Sequence, residues 1–302
     1  MSRRVSFRRV RDSLPGGDAP ARALLRIRAL LLCDRTVHPG VRPVARLAID
    51  DIPAAVLARR WGVPQCGVFR TLTSSLDAIH DLGAQGAPSG TVVLSEEQTA
   101  GRGRDGRTWR SPPGGVWLGM LLRPPPALPA SGVLSLRVGL VLADVVEAVL
   151  GVRPTSLSRP RAGLKWPNDV LVDDRKVAGI LCESRWQGES LQWLAVGIGV
   201  NVANDIPAEL ADRAVALREF RPIVRRIDVL DQLVPALLRL TAHGAQLTQF
   251  ECAAFARRDW LRGRQIRTPL AGRAAGIRPD GALLVDTGAG TTMVRDGHVE
   301  LS

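Results

Sequence analysis

Apolar and polar residues alternate along the chain in patterns that predict a mixed fold from about residue 47 onward. IDDIPAAVLARRW, with aspartate at a helix start, and SSLDAIHDLGAQG, with a serine N-cap, carry apolar residues at helical spacing. SGVLSLRVGLVLADVVEAVLG predicts a long helix that is apolar on more than one face. The strand-like runs are TVVLSEEQ, VWLGMLLRP, AGLKW, DVLVDD, KVAGILCES and LQWLAVGIGVNV. The joins VDDRK and RWQGES favour hairpins, so the order predicts an α+β fold: a mainly antiparallel sheet with flanking helices on one face.

The last forty residues have a different pattern. After helices near VLDQLVPALLRLTAHG and FECAAFARRDW, short strands follow with the turn triplets PDG and RDG. This pattern is typical of a small β barrel. We therefore predict three parts: a basic, disordered leader at 1–46, a main domain at 47–258 and a C-terminal β domain at 259–302.

Charge and cysteine usage exclude several classes of protein. The net charge is +12, but residues 1–46 alone hold eleven arginines and three aspartates, so the main domain is not a general polyanion-binding surface. No apolar run reaches the roughly 20 residues that span a bilayer. Four scattered cysteines and four scattered histidines give no zinc motif. These features predict a soluble, reduced, cytoplasmic protein.

Lysine is almost absent from the chain. Of 41 basic residues only Lys165 and Lys176 are lysines, eleven positions apart. Lysine carries a compact charge on a flexible stem, whereas arginine is a bulky planar fork. The two lysines therefore mark positions where arginine would not serve, or they are chance survivors of a coding bias.

The loop GRGRDGRTW, residues 101–109, combines three glycines with Arg102, Arg104, Arg107 and Trp109. Glycine lets the backbone bend freely, so the arginines can converge on an anion, and the tryptophan offers a hydrophobic lid. The G-x-G-x-x-G spacing matches a dinucleotide fingerprint only weakly, because TWRSPPGG cannot continue as a helix. The loop also does not fit an RNA-binding Arg-Gly box, because it occurs once and lies between two predicted strands. Gln98, just before the loop, can donate and accept hydrogen bonds.

Three further motifs carry polar groups at strand ends. In KWPND, Lys165 lies next to a turn that contains Asn168 and Asp169, and these groups suit the binding of phosphate and magnesium. An ordinary β-turn with a Lys–Asp ion pair would have the same sequence. In KVAGIL, Lys176 precedes Gly179, whose small size allows close approach of a ligand or backbone. In GIGVNV, Asn201 can contact an adenine edge or cap a buried turn.

GRGRDGRTW, KWPND, KVAGIL and GIGVNV, in this order, resemble the biotin protein ligase family. The resemblance runs from about residue 66 to the end, where DGALLV and DGHVELS are similar to the family's small SH3-like domain. It implies a catalytic domain related to class II aminoacyl-tRNA synthetases and lipoate ligases. It also implies a reaction in which biotin and MgATP give biotinyl-5′-AMP, which a lysine of a biotin carboxyl carrier domain then attacks.

The resemblance assigns roles to particular residues. Arg104, Lys165 and Lys176 would be catalytic, and Asp169 would hold magnesium. The biotin and ATP positions would be Ser74, Ser75, Leu76, Gln98, Gly101, Arg102, Gly103, Arg104, Arg107, Trp109, Lys165, Asn168, Lys176, Gly179 and Asn201. The family usually carries Ser-Thr-Asn where this chain has Ser74, Ser75 and Leu76. Serine for threonine keeps a hydroxyl, but leucine for asparagine removes a hydrogen-bonding group and bears on how tightly biotin is held.

Two alternative functions stay open at this point. A lipoate or octanoate ligase shares the fold and the adenylation chemistry, although the arginine–glycine loop with KWPND is of the biotin type. A biotin-responsive DNA-binding regulator would need an N-terminal winged helix of three helices and a hairpin. Residues 1–46 predict one helix, so we expect a ligase without specific DNA binding. The acceptor carboxylase and the oligomeric state are not predicted.

Overall fold

A computed structural model describes residues 48–123, 133–152, 161–240 and 244–302, so the predicted leader at 1–46 lies outside the described residues. In that part the helices are α1 (Ala54–Trp61), α2 (Ser75–Ala84), α3 (Val133–Val149), α4 (Arg226–Arg239) and α5 (Gln249–Ala256). The strands are β1 (Ala48–Ile49), β2 (Ile52–Pro53), β3 (Cys66–Leu72), β4 (Val92–Gln98), β5 (Val116–Leu122), β6 (Ala162–Lys165), β7 (Asp169–Val172), β8 (Arg175–Gln187), β9 (Ser190–Val200), β10 (Gln265–Thr268), β11 (Gly272–Ile277), β12 (Leu283–Thr287), β13 (Gly290–Val294) and β14 (Glu300–Leu301).

The central sheet has seven strands in the order β3-β4-β5-β9-β8-β7-β6. Strands β3 and β4 run parallel, and every other neighbouring pair is antiparallel. Asp173 and Asp174, which join β7 to β8, both have positive φ, the backbone conformation that tight hairpin turns require. The predicted α+β class with a mainly antiparallel sheet is therefore confirmed.

Helices cover both faces of this sheet rather than one. Leu118 and Met120 of β5 belong to a large apolar cluster that also contains residues of α1, α3 and α4. Leu121, which points to the opposite face, packs instead with Ile79 and Leu82 of α2. The strands β5 and β9 are apolar on both sides, and α2 uses the second side. The candidate site lies on that side.

The first helix begins later than its sequence indicated. Asp50 and Asp51 adopt positive φ in the turn between β1 and β2, and α1 starts after Pro53. The carboxylate of Asp50 accepts hydrogen bonds from the backbone N–H of Ile227 and the side chain of Arg226, each at 2.9 Å. Asp50 therefore caps the start of α4 instead of α1.

The C-terminal strands form a separate five-stranded antiparallel sheet in the order β13-β12-β11-β10-β14. Trp166, in the turn after β6, donates from its indole N–H to the carbonyl of Gly281 at 2.9 Å and so joins this sheet to the central one. No helix among the described residues is long and apolar enough to cross a membrane.

Candidate functional site

A pocket opens on the α2 face of the central sheet, between α2, the loop after β4 and the hairpin of β6 and β7. Thirteen of the predicted site residues line it: Ser74, Ser75, Leu76, Gln98, Arg102, Gly103, Arg104, Arg107, Trp109, Asn168, Asp169, Lys176 and Gly179. Gly101, Lys165 and Asn201 lie outside its lining. The motifs separated along the chain thus meet at one place.

The floor of the pocket depends on glycines that are neighbours across the strands. Gly119 of β5 pairs with Gly197 of β9. A Cβ atom on Gly119 would lie 2.6 Å from the carbonyl oxygen of Ser75, and one on Gly197 would lie 3.2 Å from Cδ1 of Leu76. The start of α2 can therefore approach the sheet only because these strand positions lack side chains.

The start of α2 forms an end of the pocket with neutral polar groups. Ser74 is the N-cap, and its hydroxyl accepts from the backbone N–H of Leu76 at 3.2 Å. Gln98, at the end of β4, accepts from the backbone N–H of Ser75 at 2.6 Å and donates to the hydroxyl of Ser111 at 2.7 Å. The amide of Gln98 is therefore held in one orientation, while Leu76 contributes a buried apolar surface.

The glycine–arginine loop, residues 101–109, folds back on itself. The N–H of Gly103 donates to the carbonyl of Arg107 at 2.7 Å, and the N–H of Trp109 donates to that of Gly101 at 2.8 Å. A Cβ atom on Gly101 would lie 2.4 Å from the carbonyl oxygen of Trp109, so Gly101 allows the loop to close rather than lining the pocket.

Each arginine of the loop has a partner from a different part of the fold. Arg102 forms ion pairs with Asp77 on α2 at 3.0 Å and with Glu183 on β8 at 2.7 Å. Arg104 forms an ion pair with Asp296. Asp77, Glu183 and Asp296 were not predicted from the sequence, because nothing in their local pattern indicates which distant arginine they contact.

The segment between β13 and β14 extends from the C-terminal sheet to the pocket. Gly297 and His298 line it, and Arg107 donates to Nδ1 of His298 at 3.0 Å. Burial, together with the charges of Arg107 and Lys165, lowers the pKa of His298. The RDG triplet, interpreted from sequence as a turn signal, therefore places a C-terminal residue at the site.

Lys176 and Lys165 occupy different environments. The ammonium of Lys176 is 2.7 Å from Oδ1 of Asp169 and 4.8 Å from the centre of the Trp109 ring, inside the pocket. The ammonium of Lys165 lies 5.5 Å from the centre of the Trp260 ring. Lys165 is still the strand partner of Asp169, and burial lowers its pKa.

The two predicted asparagines hold backbone segments in place. Asn168 donates from its side chain to the carbonyl of Ile180 at 2.8 Å and lines the pocket. Asn201 is buried, and its side chain accepts from Asn204 at 3.2 Å. The backbone N–H of Asn201 donates to the carbonyl of Val177 at 2.8 Å. In this structure Asn201 therefore supports the strand ends behind Lys176.

The pocket combines a neutral end with a cationic one. Leu76 lies over Gly197, and Trp109, with Lys176 beside it, lies over Gly199, two positions further along β9. Burial lowers the pKa of Arg104, and the nearby carboxylates of Asp105 and Asp169 oppose that effect. Such a site suits a ligand with a neutral polar head together with a second, anionic ligand.

No group of three or more metal-binding side chains occurs among residues 48–123, 133–152, 161–240 and 244–302.

The chain is similar to several known proteins. The sequence profile of the Biotin/lipoate A/B protein ligase family matches residues 68–201. A biotin–acetyl-CoA-carboxylase ligase of Paracoccus denitrificans is 35% identical over 231 residues, 72% of this chain and 92% of that protein. The bifunctional ligase/repressor BirA of Bacillus subtilis is 31% identical over 241 residues, 76% of this chain and 72% of that protein.

A solved structure has the same fold. The biotin protein ligase from Aquifex aeolicus in complex with biotin and ATP superposes with a TM-score of 0.62 and 26% identity, over 78% of this chain and 98% of that chain. The chain belongs to the Biotin/lipoate A/B protein ligase family, within its biotin protein ligase branch. The resemblance inferred from the four sequence motifs is thereby confirmed.

Proposed function

We propose that this protein is a ligase that activates biotin with ATP and transfers it to a lysine of a biotin carboxyl carrier domain. The observation that carries the proposal is the two-ended pocket. Its neutral end, built by Ser74, Ser75 and Gln98, suits the uncharged ring system of biotin. Its cationic end, built by Arg104 and Lys176, suits the biotin carboxylate and the nucleotide phosphates.

The chemistry needs positioning and charge neutralisation more than proton transfer. A carboxylate oxygen of biotin attacks the α-phosphorus of ATP, the bond to the β-phosphate breaks, and pyrophosphate leaves. Both reactants are anionic, so Arg104, Arg107 and Lys176 would lower the repulsion and hold them in line. In the second step the acceptor amine attacks the acyl carbon, AMP leaves and the amine loses a proton. The nucleophile comes from the partner, so this chain needs none of its own.

A magnesium ion fits the residues present. Asp169 places one carboxylate at the cationic end of the pocket, and Mg²⁺ bound with nucleotides typically takes one or two carboxylates plus phosphate oxygens. Asp169 would hold the ion, which would neutralise phosphate charge. Lys165, the strand partner of Asp169, would add positive charge from outside the pocket lining.

The glycine–arginine loop would keep water away from the adenylate. A mixed anhydride hydrolyses readily, so retention until transfer requires a cover. Trp109 and the loop backbone supply that cover above the sheet.

The proposal also includes a cytoplasmic location, predicted from the scattered cysteines, and the absence of specific DNA binding. The described cysteines Cys66, Cys182 and Cys252 are free thiols.

The test is pyrophosphate release from MgATP by the purified protein with biotin, with lipoate or with neither. We expect release that depends on biotin and is lost in Lys176→Ala but kept in Glu189→Gln, an exposed position in the β8–β9 turn. Addition of a carrier domain should then yield one biotin on its lysine, measured by mass. Release with lipoate alone would move the protein to the lipoate branch. If neither biotin nor lipoate leads to pyrophosphate release, the proposed activity is overturned.

A further inference from the structure

Arg102 is held between two carboxylates that belong to different elements. Its Nε lies 3.0 Å from Oδ1 of Asp77 on α2, and its Nη2 donates to Oε2 of Glu183 on β8 at 2.7 Å. Arg102 itself is in the first half of the glycine–arginine loop. These contacts fasten that half of the loop to the helix and to the sheet at the same time.

Glu183 is fixed in turn from the side away from the loop. The indole N–H of Trp193 donates to Nδ1 of His80 at 3.1 Å, and an indole nitrogen is only a donor, so Nδ1 must accept. The ring proton is then on Nε2, which donates to Oε2 of Glu183 at 2.8 Å. His80 and Arg102 therefore converge on one carboxylate oxygen. We call Asp77, His80, Arg102, Glu183 and Trp193 the Arg102 anchor.

Burial makes the contact between His80 and Glu183 persistent. The side chains of Glu183 and His80 are only 12% and 19% exposed. Burial alone would raise the pKa of Glu183, but the hydrogen bond from His80 and the charge of Arg102 hold it below its ordinary value. Glu183 therefore stays ionised at neutral pH, and Arg102 always has a charged partner.

The charges of the anchor argue against direct contact between Arg102 and an anionic substrate. One guanidinium faces the carboxylates of Asp77 and Glu183, while His80 is neutral in the tautomer that its neighbours require. A group that is already paired with two carboxylates is a poor attractor for a third. Arg104 and Lys176 are better placed to neutralise the carboxylate of biotin, because they line the cationic end of the pocket.

We propose that His80 and Glu183 are positioning residues of the biotin reaction: through Arg102 they hold the first half of the glycine–arginine loop over the pocket. The proposal rests on the proposed function. Arg102 then contributes by fixing the backbone of Gly103 at the pocket, not by binding the reacting carboxylate with its side chain. Loss of any anchor member should release the same piece of loop.

A double-mutant cycle on the full chain separates the two roles of Arg102. Arg102→Gln and Glu183→Gln should each raise the KM for biotin and the rate of adenylate escape by about tenfold, the worth of a charge-assisted hydrogen bond. The double variant should lose no more than either single variant, because the loop is already unfastened. If Arg102→Gln retains its full effect in the Glu183→Gln background, Arg102 acts on substrate directly and the proposal is overturned.

His80 provides the second test. In His80→Gln one amide can accept from Trp193 and donate to Glu183, so the KM for biotin and adenylate retention should stay near wild type. His80→Leu can do neither, and should match Glu183→Gln. Glu189→Gln, an exposed carboxylate in the β8–β9 turn, controls for the change in charge. Unchanged adenylate retention in His80→Leu would rule out the anchor.

Hydrogen exchange of residues 99–111 in the ligand-free protein gives a readout that does not depend on catalysis. Exchange should rise in Glu183→Gln and His80→Leu, and not in His80→Gln or Glu189→Gln. Equal exchange in all variants would overturn the anchor even if biotin activation is found. If wild type releases no biotin-dependent pyrophosphate, the proposed function fails independently of the loop measurement.

Discussion

Trp109 packs directly on the backbone of Gly199: a Cβ atom at residue 199 would lie 2.6 Å from Cε2 of the indole ring. Gly179, the partner of Gly199 across β8 and β9, is equally close, since its Cβ would lie 2.8 Å from Cζ3 of the same ring. The tryptophan of the loop therefore rests on the glycines of two other motifs. This contact joins the cover of the pocket to its floor.

Gly199→Ala should displace Trp109 and weaken the reaction. A separation under 3.0 Å forces either the ring or the strand to move, and such overpacking costs about 1–3 kcal/mol. We expect kcat/KM for ATP to fall by about tenfold, with a lower Tm. Gly163→Ala on β6 is the matched control, because its Cβ would make only an ordinary contact at 3.5 Å. If the two variants behave alike, the Trp109 contact does not matter for catalysis.

The sequence predicted those parts of the site that lie close along the chain. KWPND and KVAGIL meet because β7 and β8 form a hairpin, which pairs Asp169 with Gly179. The join VDDRK indicated that hairpin directly. The glycine–arginine loop was likewise recognisable from its composition, since glycines next to arginines have few structural uses.

Contacts between distant segments were not predictable in the same way. Asp77 and Glu183 are 106 positions apart, and Asp296 follows at the far end of the chain, yet each contacts an arginine of one loop. Hydrophobic periodicity locates elements but does not say which charged side chains will meet. The domain limits and the residue roles assigned from the sequence stay predictions.

Arg104→Gly should let the adenylate escape. Arg104 lines the pocket and joins the loop to Asp296 of the C-terminal segment, so its loss removes both a positive charge and a contact of the cover. We expect free biotinyl-5′-AMP to accumulate in solution, measured by chromatography, at a rate about tenfold or more above wild type. Arg110→Gly, just outside the loop and exposed, should retain the intermediate. Unchanged retention in Arg104→Gly would contradict the cover hypothesis.

Asp296→Asn should strengthen ATP binding slightly. Asp296 is paired with Arg104, and the pair is partly exposed. Asp296 would therefore compete with a phosphate for Arg104, and removing its negative charge should lower the KM for ATP about threefold at low salt. The effect should disappear at high ionic strength. Asp286→Asn, an exposed carboxylate on β12, changes the net charge equally and should have no effect. A raised KM would mean instead that Asp296 orders Arg104 for the nucleotide.

Lys176→Arg should be nearly as inactive as Lys176→Ala. The ammonium of Lys176 fits between the Trp109 ring and Asp169, and its Cε lies 3.2 Å from the Cβ position of Gly179. A planar guanidinium is too large for that space, so we expect kcat to fall by about a hundredfold. Lys165→Arg should lose much less, because the Lys165 ammonium lies outside the pocket lining, 5.5 Å from the centre of the Trp260 ring. Equal losses would indicate that Lys165 enters the pocket during the reaction.

Leu76→Asn tests whether the apolar residue at the neutral end weakens biotin binding. Leu76 is 3% exposed and lies over Gly197, so an amide there would be buried without a partner in the free protein. An unsatisfied buried amide costs about 1–3 kcal/mol, and we therefore expect a lower Tm without ligand.

Biotin should reverse part of that loss if residue 76 faces its ring system. The biotin-dependent rise in Tm should be larger in Leu76→Asn than in wild type, and the KM for biotin should fall severalfold because the amide gains a partner. Leu82→Asn, buried on the same helix but outside the pocket lining, should lower Tm without changing the KM for biotin. If both variants respond to biotin alike, residue 76 does not contact the substrate, and the departure from the family pattern has no bearing on affinity.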